Sequence, residues 1–90
     1  MIECYIKTIY GERIDLNSKF MRELMIEKSG LSYFFADIKI DNKEYMVVNI
    51  PIIILKTYTD NEIYEILSKS IKKANVTDTI FDYSKWLMGW

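Results

Sequence analysis

The chain has 90 residues, of which half are hydrophobic and 14% are aromatic, with a formal net charge of −1 and no histidine. This length suits one small domain spanning residues 1–90, and the apolar content excludes an intrinsically disordered chain. The near-neutral charge disfavours general nucleic-acid binding, because displacing counterions from a phosphate backbone requires a basic patch.

Cysteine usage and the longest apolar run indicate the compartment. Cys4 is the single cysteine and alternates with Ile2 and Ile6, so we expect a small buried side chain rather than a disulfide. A chain without an intramolecular disulfide is typical of the cytoplasm. The apolar run 46–55 contains Asn49 and Pro51 and spans about half a bilayer, so it predicts strands and no membrane contact.

The first third of the chain predicts a strand followed by a helix. Residues 2–9 alternate between apolar and polar side chains, and Gly11 ends that strand. The helix is expected over 16–29, with Asp15 or Asn17 as its N-cap and Gly30 just beyond its end. Its predicted core-facing stripe consists of Leu16, Phe20, Met21, Leu24 and Met25.

Residues 33–50 carry the clearest pattern, a β-hairpin with a bend at 41–43. One side of the first arm presents Phe34, Ala36, Ile38 and Ile40, and one side of the second presents Met46, Val48 and Ile50. The other side carries Tyr33, Phe35, Tyr45 and Val47. A solvent-facing side of a sheet is normally polar, so this partly aromatic side predicts a surface that something covers.

The remaining elements are a helix and a short strand. After Pro51, residues 52–55 form an apolar run whose state the sequence leaves open, with an edge strand as one interpretation. Thr59 and Glu62 predict a capping box at the start of a helix that ends near Asn75. Residues 76–83 are expected to form the last strand.

The predicted order is therefore β-α-β-β-α-β. It favours an α+β, ferredoxin-like sandwich with two helices on one face of a four-stranded antiparallel sheet. Other α+β packings are compatible with the same elements.

The side chains predict neither catalysis nor a bound metal or cofactor. Without histidine there is no imidazole base, triad or imidazole ligand, and one cysteine cannot build a usual zinc site. Asp78 and Asp82 are four residues apart, and Asp37 and Asp41 flank the bend. We interpret Asp41 as a turn residue and Asp82 as the cap of a last helical turn, and we expect a protein that is not an enzyme.

Two segments are similar to an RNA-binding family. Residues 4–9 look like the shorter motif of the RNA-recognition motif family, and residues 43–50 resemble its longer motif. The resemblance implies Tyr5 and Tyr45 as base-stacking residues on an open sheet face, with single-stranded RNA as the partner. Both glycines of the longer motif are missing, and Glu44 adds a negative charge.

The favoured hypothesis is a protein partner. Aromatic residues are enriched in interface cores, so we expect a regulator or inhibitor that occludes a partner's site. A composition rich in Ile, Lys, Tyr and Asn favours an AT-rich genome, and one form of the hypothesis is a virus-encoded inhibitor of a host enzyme or defence system. Alternatives are a homodimer through the sheet and a tail, 86–90, that folds back over the sheet. The predicted contact residues are Tyr5, Tyr33, Phe35, Glu44, Tyr45, Asp78, Asp82, Trp86 and Trp90.

Overall fold

The strands form one mixed sheet. The computed structural model describes residues 4–14, 19–76 and 78–88. Within them the strands lie in the order β2-β1-β3-β4-β5. Neighbouring strands are antiparallel except β4 and β5, which are parallel. Their bounds are β1 Cys4–Lys7, β2 Arg13–Ile14, β3 Tyr33–Ile40, β4 Lys43–Pro51 and β5 Ile80–Asp82. The chain is thus an α+β domain, but its sheet is five-stranded and mixed instead of four-stranded and antiparallel.

Strand β2 was not predicted, and it changes the topology. Gly11 has φ +85°, and its N–H donates to the Thr8 carbonyl at 3.0 Å, which closes a tight turn after β1. The chain then runs back so that Ile14 pairs with Ile6. Because β2 and β3 are both antiparallel to β1, they are parallel to each other across it. A ferredoxin-like order is not clearly matched. The first hairpin strand, β3, lies directly beside β1 and antiparallel to it, and the last strand, β5, lies parallel to β4.

The described residues form four helices, α1 Lys19–Ser29, α2 Ile52–Thr57, α3 Asp60–Ala74 and α4 Tyr83–Leu87. The capping box at α3 is confirmed: the Glu62 N–H donates to Thr59 Oγ1 at 3.3 Å, and the Thr59 N–H donates to Glu62 Oε1 at 2.9 Å. Asn75 ends α3 in the left-handed region, as predicted. No helix in these described parts of the chain is long and apolar enough to cross a bilayer.

Residues 52–55 belong to α2, so the edge-strand interpretation is wrong. Pro51 is the last residue of β4, where it pairs with Tyr33. The next N–H, that of Ile52, donates to the Ser32 carbonyl at 2.9 Å, outside the ladder. The chain leaves the sheet at this point, and Leu55 reaches the core as a fully buried side chain.

One side of the sheet packs against the core, and a bulge in β4 decides which residues face it. Phe34 pairs with Ile50, whereas Ala36 pairs with Val47, so β4 has one extra residue between these pairs. Asn49, at φ +57°, lies in this bulge. Val47 and Ile50 are both fully buried as a result. The expectation that Met46 and Val48 share the core side is therefore wrong, because the period of two is interrupted.

Helix α1 has the opposite orientation to that predicted. Arg22 and Ile26 are its buried residues, whereas the expected inner stripe is exposed at Phe20, Met21, Leu24 and Met25. Leu16 and both N-cap candidates, Asp15 and Asn17, lie outside the described residues. Gly30, at φ +69°, follows the last turn as predicted.

Candidate protein-binding face

The side of the sheet turned away from the core is called the open face here, and one row of residues crosses its centre. Tyr5 of β1 pairs with Asp37 of β3, Asp37 with Met46 of β4, and Met46 with Ile80 of β5. Cross-strand neighbours project to the same side of a sheet. Tyr5, Met46 and Ile80 are 44%, 39% and 59% exposed. Large apolar side chains from three strands therefore surround one carboxylate at the surface.

A second row holds the tyrosine of the first in place. Arg13 pairs with Lys7, and Lys7 with Phe35. The Arg13 guanidinium carbon lies 4.2 Å from the centroid of the Tyr5 ring, within cation–π range. The Lys7 ammonium forms an ion pair with the Asp37 carboxylate. The Tyr5 ring is therefore packed against a charged side chain, that of Arg13, on the adjacent strand β2.

The charges of the open face alternate in sign. Lys39 pairs across the strands with Glu44, and these two residues extend the pattern of Lys7, Asp37 and Arg13. Mixed charges around apolar groups are typical of a protein interface with a polar rim. A nucleic-acid site needs a field of one positive sign instead.

A shallow depression of about 670 Å³ lies on this face. It is open to solvent along one side, so it offers a contact surface rather than an enclosed ligand cavity. It is lined by residues of all five strands and of the loop before β5: Tyr5, Arg13, Asp37, Ile38, Lys39, Glu44, Tyr45, Met46, Thr79 and Ile80.

Four predicted contact residues lie on the open face, and one does not. Tyr5 and Glu44 line the depression. Tyr33 is 53% exposed near the far end of β3, and Phe35 is half-buried beside Lys7. Tyr45 pairs with buried Ile38 and packs against the core. It is also among the residues that line the depression. Because its pairing with Ile38 places it on the core side of the sheet, the expectation that it stands beside Phe35 is wrong.

The two remaining acidic contact residues, Asp78 and Asp82, differ in their hydrogen bonding and position. Asp78 is exposed in the loop before β5. Asp82 accepts a hydrogen bond from the Lys85 N–H at 3.1 Å through Oδ1, and one from Asn49 Nδ2 at 3.0 Å through Oδ2. The interpretation of Asp82 as a helix cap is confirmed, since α4 begins at the next residue.

The tail, as far as it is described, does not cover the open face. The Trp86 ring centroid lies 6.3 Å from that of Phe81, at a tilt of 52°. Phe81 pairs with Val47 on the core side, so Trp86 packs against the core instead of over Tyr5. The predicted fold-back over the sheet is wrong for Trp86, and Trp90 lies outside the described residues.

The shifted pKa values belong to structural positions. Hydrogen bonds from the Thr59 backbone and side chain lower the pKa of the exposed Glu62 carboxyl, with a smaller contribution from the Lys19 charge. Burial raises the pKa of Tyr83, with the neighbouring Tyr58 adding to it. Within residues 4–14, 19–76 and 78–88, no three histidine, cysteine or acidic side chains are grouped to hold a metal ion.

Sequence reasoning missed Arg13, Thr79 and Ile80, which also line the depression. Arg13 and Ile80 belong to strands of only two and three residues, too few for an alternation to be visible, and Thr79 lies in the loop before β5. The available signal was Gly11, whose position after a strand is typical of a hairpin turn. Comparison of the chain with protein-family models, with curated proteins and with solved structures gives no match.

Proposed function

We propose that this chain is a small non-enzymatic regulator or inhibitor that binds another protein through the open face and acts by steric occlusion. The observation that carries the proposal is the central row, in which exposed Tyr5, Met46 and Ile80 flank Asp37. Tyrosine and methionine are enriched where interfaces are desolvated. At such a site the apolar contacts supply binding energy, and the charges fix how the partner is aligned on the face.

The open face alone supplies about half of a standard interface. Its strands have four, two, eight, nine and three residues, and each strand residue covers about 16 Å² of a sheet. The flat face therefore covers about 400 Å², compared with the ~800 Å² that each partner of a standard interface buries. Side-chain relief and the exposed loop at Asp78 extend the area.

The charges favour a partner that carries basic groups near one edge. Glu44 and Asp78 are both exposed on the side of β4 and β5, where they complement lysine or arginine side chains. The AT-rich compositional signature extends the proposal to a virus-encoded inhibitor of a host enzyme or defence system, acting in the cytoplasm. Its mechanism needs no chemistry beyond occupying the partner's surface.

The test is a pull-down from host lysate with the tagged chain and two matched variants. Tyr5→Glu places a charge in the central row, whereas Phe20→Glu makes the same aromatic-to-acid change on α1, where Phe20 is 67% exposed. The proposal expects a stoichiometric partner that the parent and Phe20→Glu recover and Tyr5→Glu does not. It fails if no stoichiometric partner is recovered, or if Tyr5→Glu still binds while far-UV circular dichroism shows both variants folded.

Single-stranded RNA is the alternative partner. Its suggested stacking pair is divided, because Tyr5 lies on the open face and Tyr45 packs on the core side. Filter binding at low salt separates the two proposals. A salt-sensitive affinity that Tyr5→Ala abolishes would favour RNA, whereas the absence of binding by the parent chain would remove it.

A further inference from the structure

The two halves of the open face carry opposite charges. A line between β3 and β4, parallel to the strands, separates the half formed by β1 and β3 from the half formed by β4 and β5. The first half presents Lys7 and Lys39, and the second presents Glu44 and Asp82. Asp37 also lies on the first half, but it is ion-paired there with Lys7. The face is therefore complementary in charge to a copy of itself that is turned over about this line.

We propose that two copies of the chain pair through their open faces, around a twofold axis that runs along this line. In a twofold contact the patch of one copy meets the same patch of the other. The rotation lays β3 of one copy over β4 of the second, and β1 over β5. Sheets that pack face to face lie about 10 Å apart with their strands within about 30° of each other. Residues in the same row of the sheet therefore meet across the contact.

Lys39 and Glu44 form the centre of this contact. They are cross-strand neighbours within one sheet, and both line the depression. The rotation places Lys39 of each copy over Glu44 of the other. The four charges then lie at the corners of a square, where each has opposite charges as its nearest neighbours, within its own sheet and across the contact. The depression, of about 670 Å³, gives these long side chains room between the sheets.

The exposed apolar side chains cover one another in the same arrangement. Tyr5 and Ile80 lie in the central row, each one strand away from the strands that flank the axis. Tyr5 of one copy therefore covers Ile80 of the second, and these side chains are 44% and 59% exposed in the single chain. In the next row, half-buried Phe35 of one copy covers half-buried Val48 of the second.

The outer charges select the position of the axis. Lys7 of one copy lies over Asp82 of the second, so this outer pair is also opposite in sign. A twofold axis along β3 itself would instead place Lys39 and Asp37 against the same residues of the other copy. Like charges that face each other across an interface are repulsive. The charges of the open face thus favour the axis between β3 and β4.

The size of the contact makes the dimer reversible. It uses nearly all of the open face, about 400 Å² per copy, compared with the ~800 Å² that each partner of a standard interface buries. The dimer is accordingly concentration-dependent, and it hides Tyr5 and Met46 from any other protein. This regulatory consequence rests on the proposed function, because a concentrated chain would mask the face with which it occludes a foreign partner.

The test is sedimentation equilibrium of the full chain from ~1 μM to ~1 mM, the range in which weak complexes dissociate. The parent is expected to show a monomer–dimer equilibrium. Lys39→Glu and Glu44→Lys should each weaken the dimer at least about tenfold, because each change turns two attractive contacts into two repulsive ones. Lys28→Glu makes the same lysine-to-acid change at an exposed position of α1, and it should leave the equilibrium unchanged.

An equimolar mixture of Lys39→Glu and Glu44→Lys gives the most specific result. In the mixed dimer the two substituted positions face each other with opposite charges, and so do the two unsubstituted ones. The mixture should therefore associate about as strongly as the parent, although each variant alone does not. An attraction confined to a single chain cannot be restored by mixing, because each variant still carries two like charges side by side.

A parent chain that stays monomeric at every concentration would overturn the proposal and leave the open face to a foreign partner. A dimer that Lys39→Glu leaves intact would overturn it as well, as would a mixture that stays monomeric while far-UV circular dichroism shows both variants folded. If Lys39→Glu does not fold, Tyr5→Glu replaces it and should also weaken the dimer, because the contact with Ile80 is lost. These measurements use the chain alone, so they decide the pairing whether or not the pull-down recovers a foreign partner.

Discussion

Replacing Arg22 is expected to be among the most destabilising single changes in the chain. Leu55 and Tyr58 stand at the carboxyl end of α2, where helix carbonyls lack intrahelical donors. The N–H that would reach Leu55 in a longer helix belongs to Thr59, and it donates to Glu62 instead. The guanidinium of Arg22 supplies the missing donors at the negative end of the α2 dipole.

The magnitude follows from these two bonds. A hydrogen bond that involves a charged group contributes about 1.5–3 kcal/mol net, so Arg22→Met, which keeps most of the apolar volume, should lose roughly 3–5 kcal/mol of the free energy of unfolding. A domain of 90 residues has roughly 5–13 kcal/mol in total. Arg22→Lys retains the charge but not the planar fork, and should lose about half as much.

The assay is urea denaturation followed by circular dichroism, with Lys28→Met as the matched control. Lys28 is exposed on the same helix, so its replacement should change the free energy of unfolding by less than about 0.5 kcal/mol. If Arg22→Met is as stable as the parent, the reasoning is refuted. Burying the charge would then cost as much as its hydrogen bonds return.

Three further predictions concern local structure. Thr59→Ala should cost about 1 kcal/mol in urea denaturation, and adding Glu62→Gln should cost little more, because the capping box is already broken; full additivity would contradict this. Because burial raises the pKa of Tyr83, the neutral Tyr83 side chain contributes fully to the free energy of unfolding below pH ~10, and this contribution is lost as the pH rises further. Thermal melts of Tyr83→Phe should therefore show less destabilisation at alkaline pH than the parent, and identical pH profiles for the two proteins would contradict this prediction. Asn49→Ala loses the bond to Asp82 and an accessible left-handed conformation, so it should cost about 1–2 kcal/mol, whereas Asn49→Gly should cost less.

Features that depend on neighbouring residues were predictable. The capping box of Thr59 and Glu62, the stop at Asn75 and the turn at Asp41, whose φ is +50°, all involve groups within four positions of one another. Such features are set by local hydrogen bonds and backbone sterics. The hairpin was correct for the same reason, since its two arms adjoin in the chain.

The composition of the open face was predictable only in part. Tyr5 and Glu44 were expected there and do line the depression. Arg13 and Ile80 came from strands too short to show a period. Tyr45 was assigned to the wrong side, because alternation was counted along β4 without knowing how its register with β3 is interrupted beside Asn49.

The amino-acid sequence by itself determined that this protein is a small α+β domain with a central hairpin, a capping box at α3 and more aromatic side chains than its core can bury. Only the tertiary structure decided which side of each element faces inward. The physical reason is that orientation depends on contacts between distant residues, such as those of Arg22 with the carbonyls at the end of α2. A buried cation there outweighs the apolar pattern of its own helix, and the stripe that the pattern assigned to the core faces solvent instead.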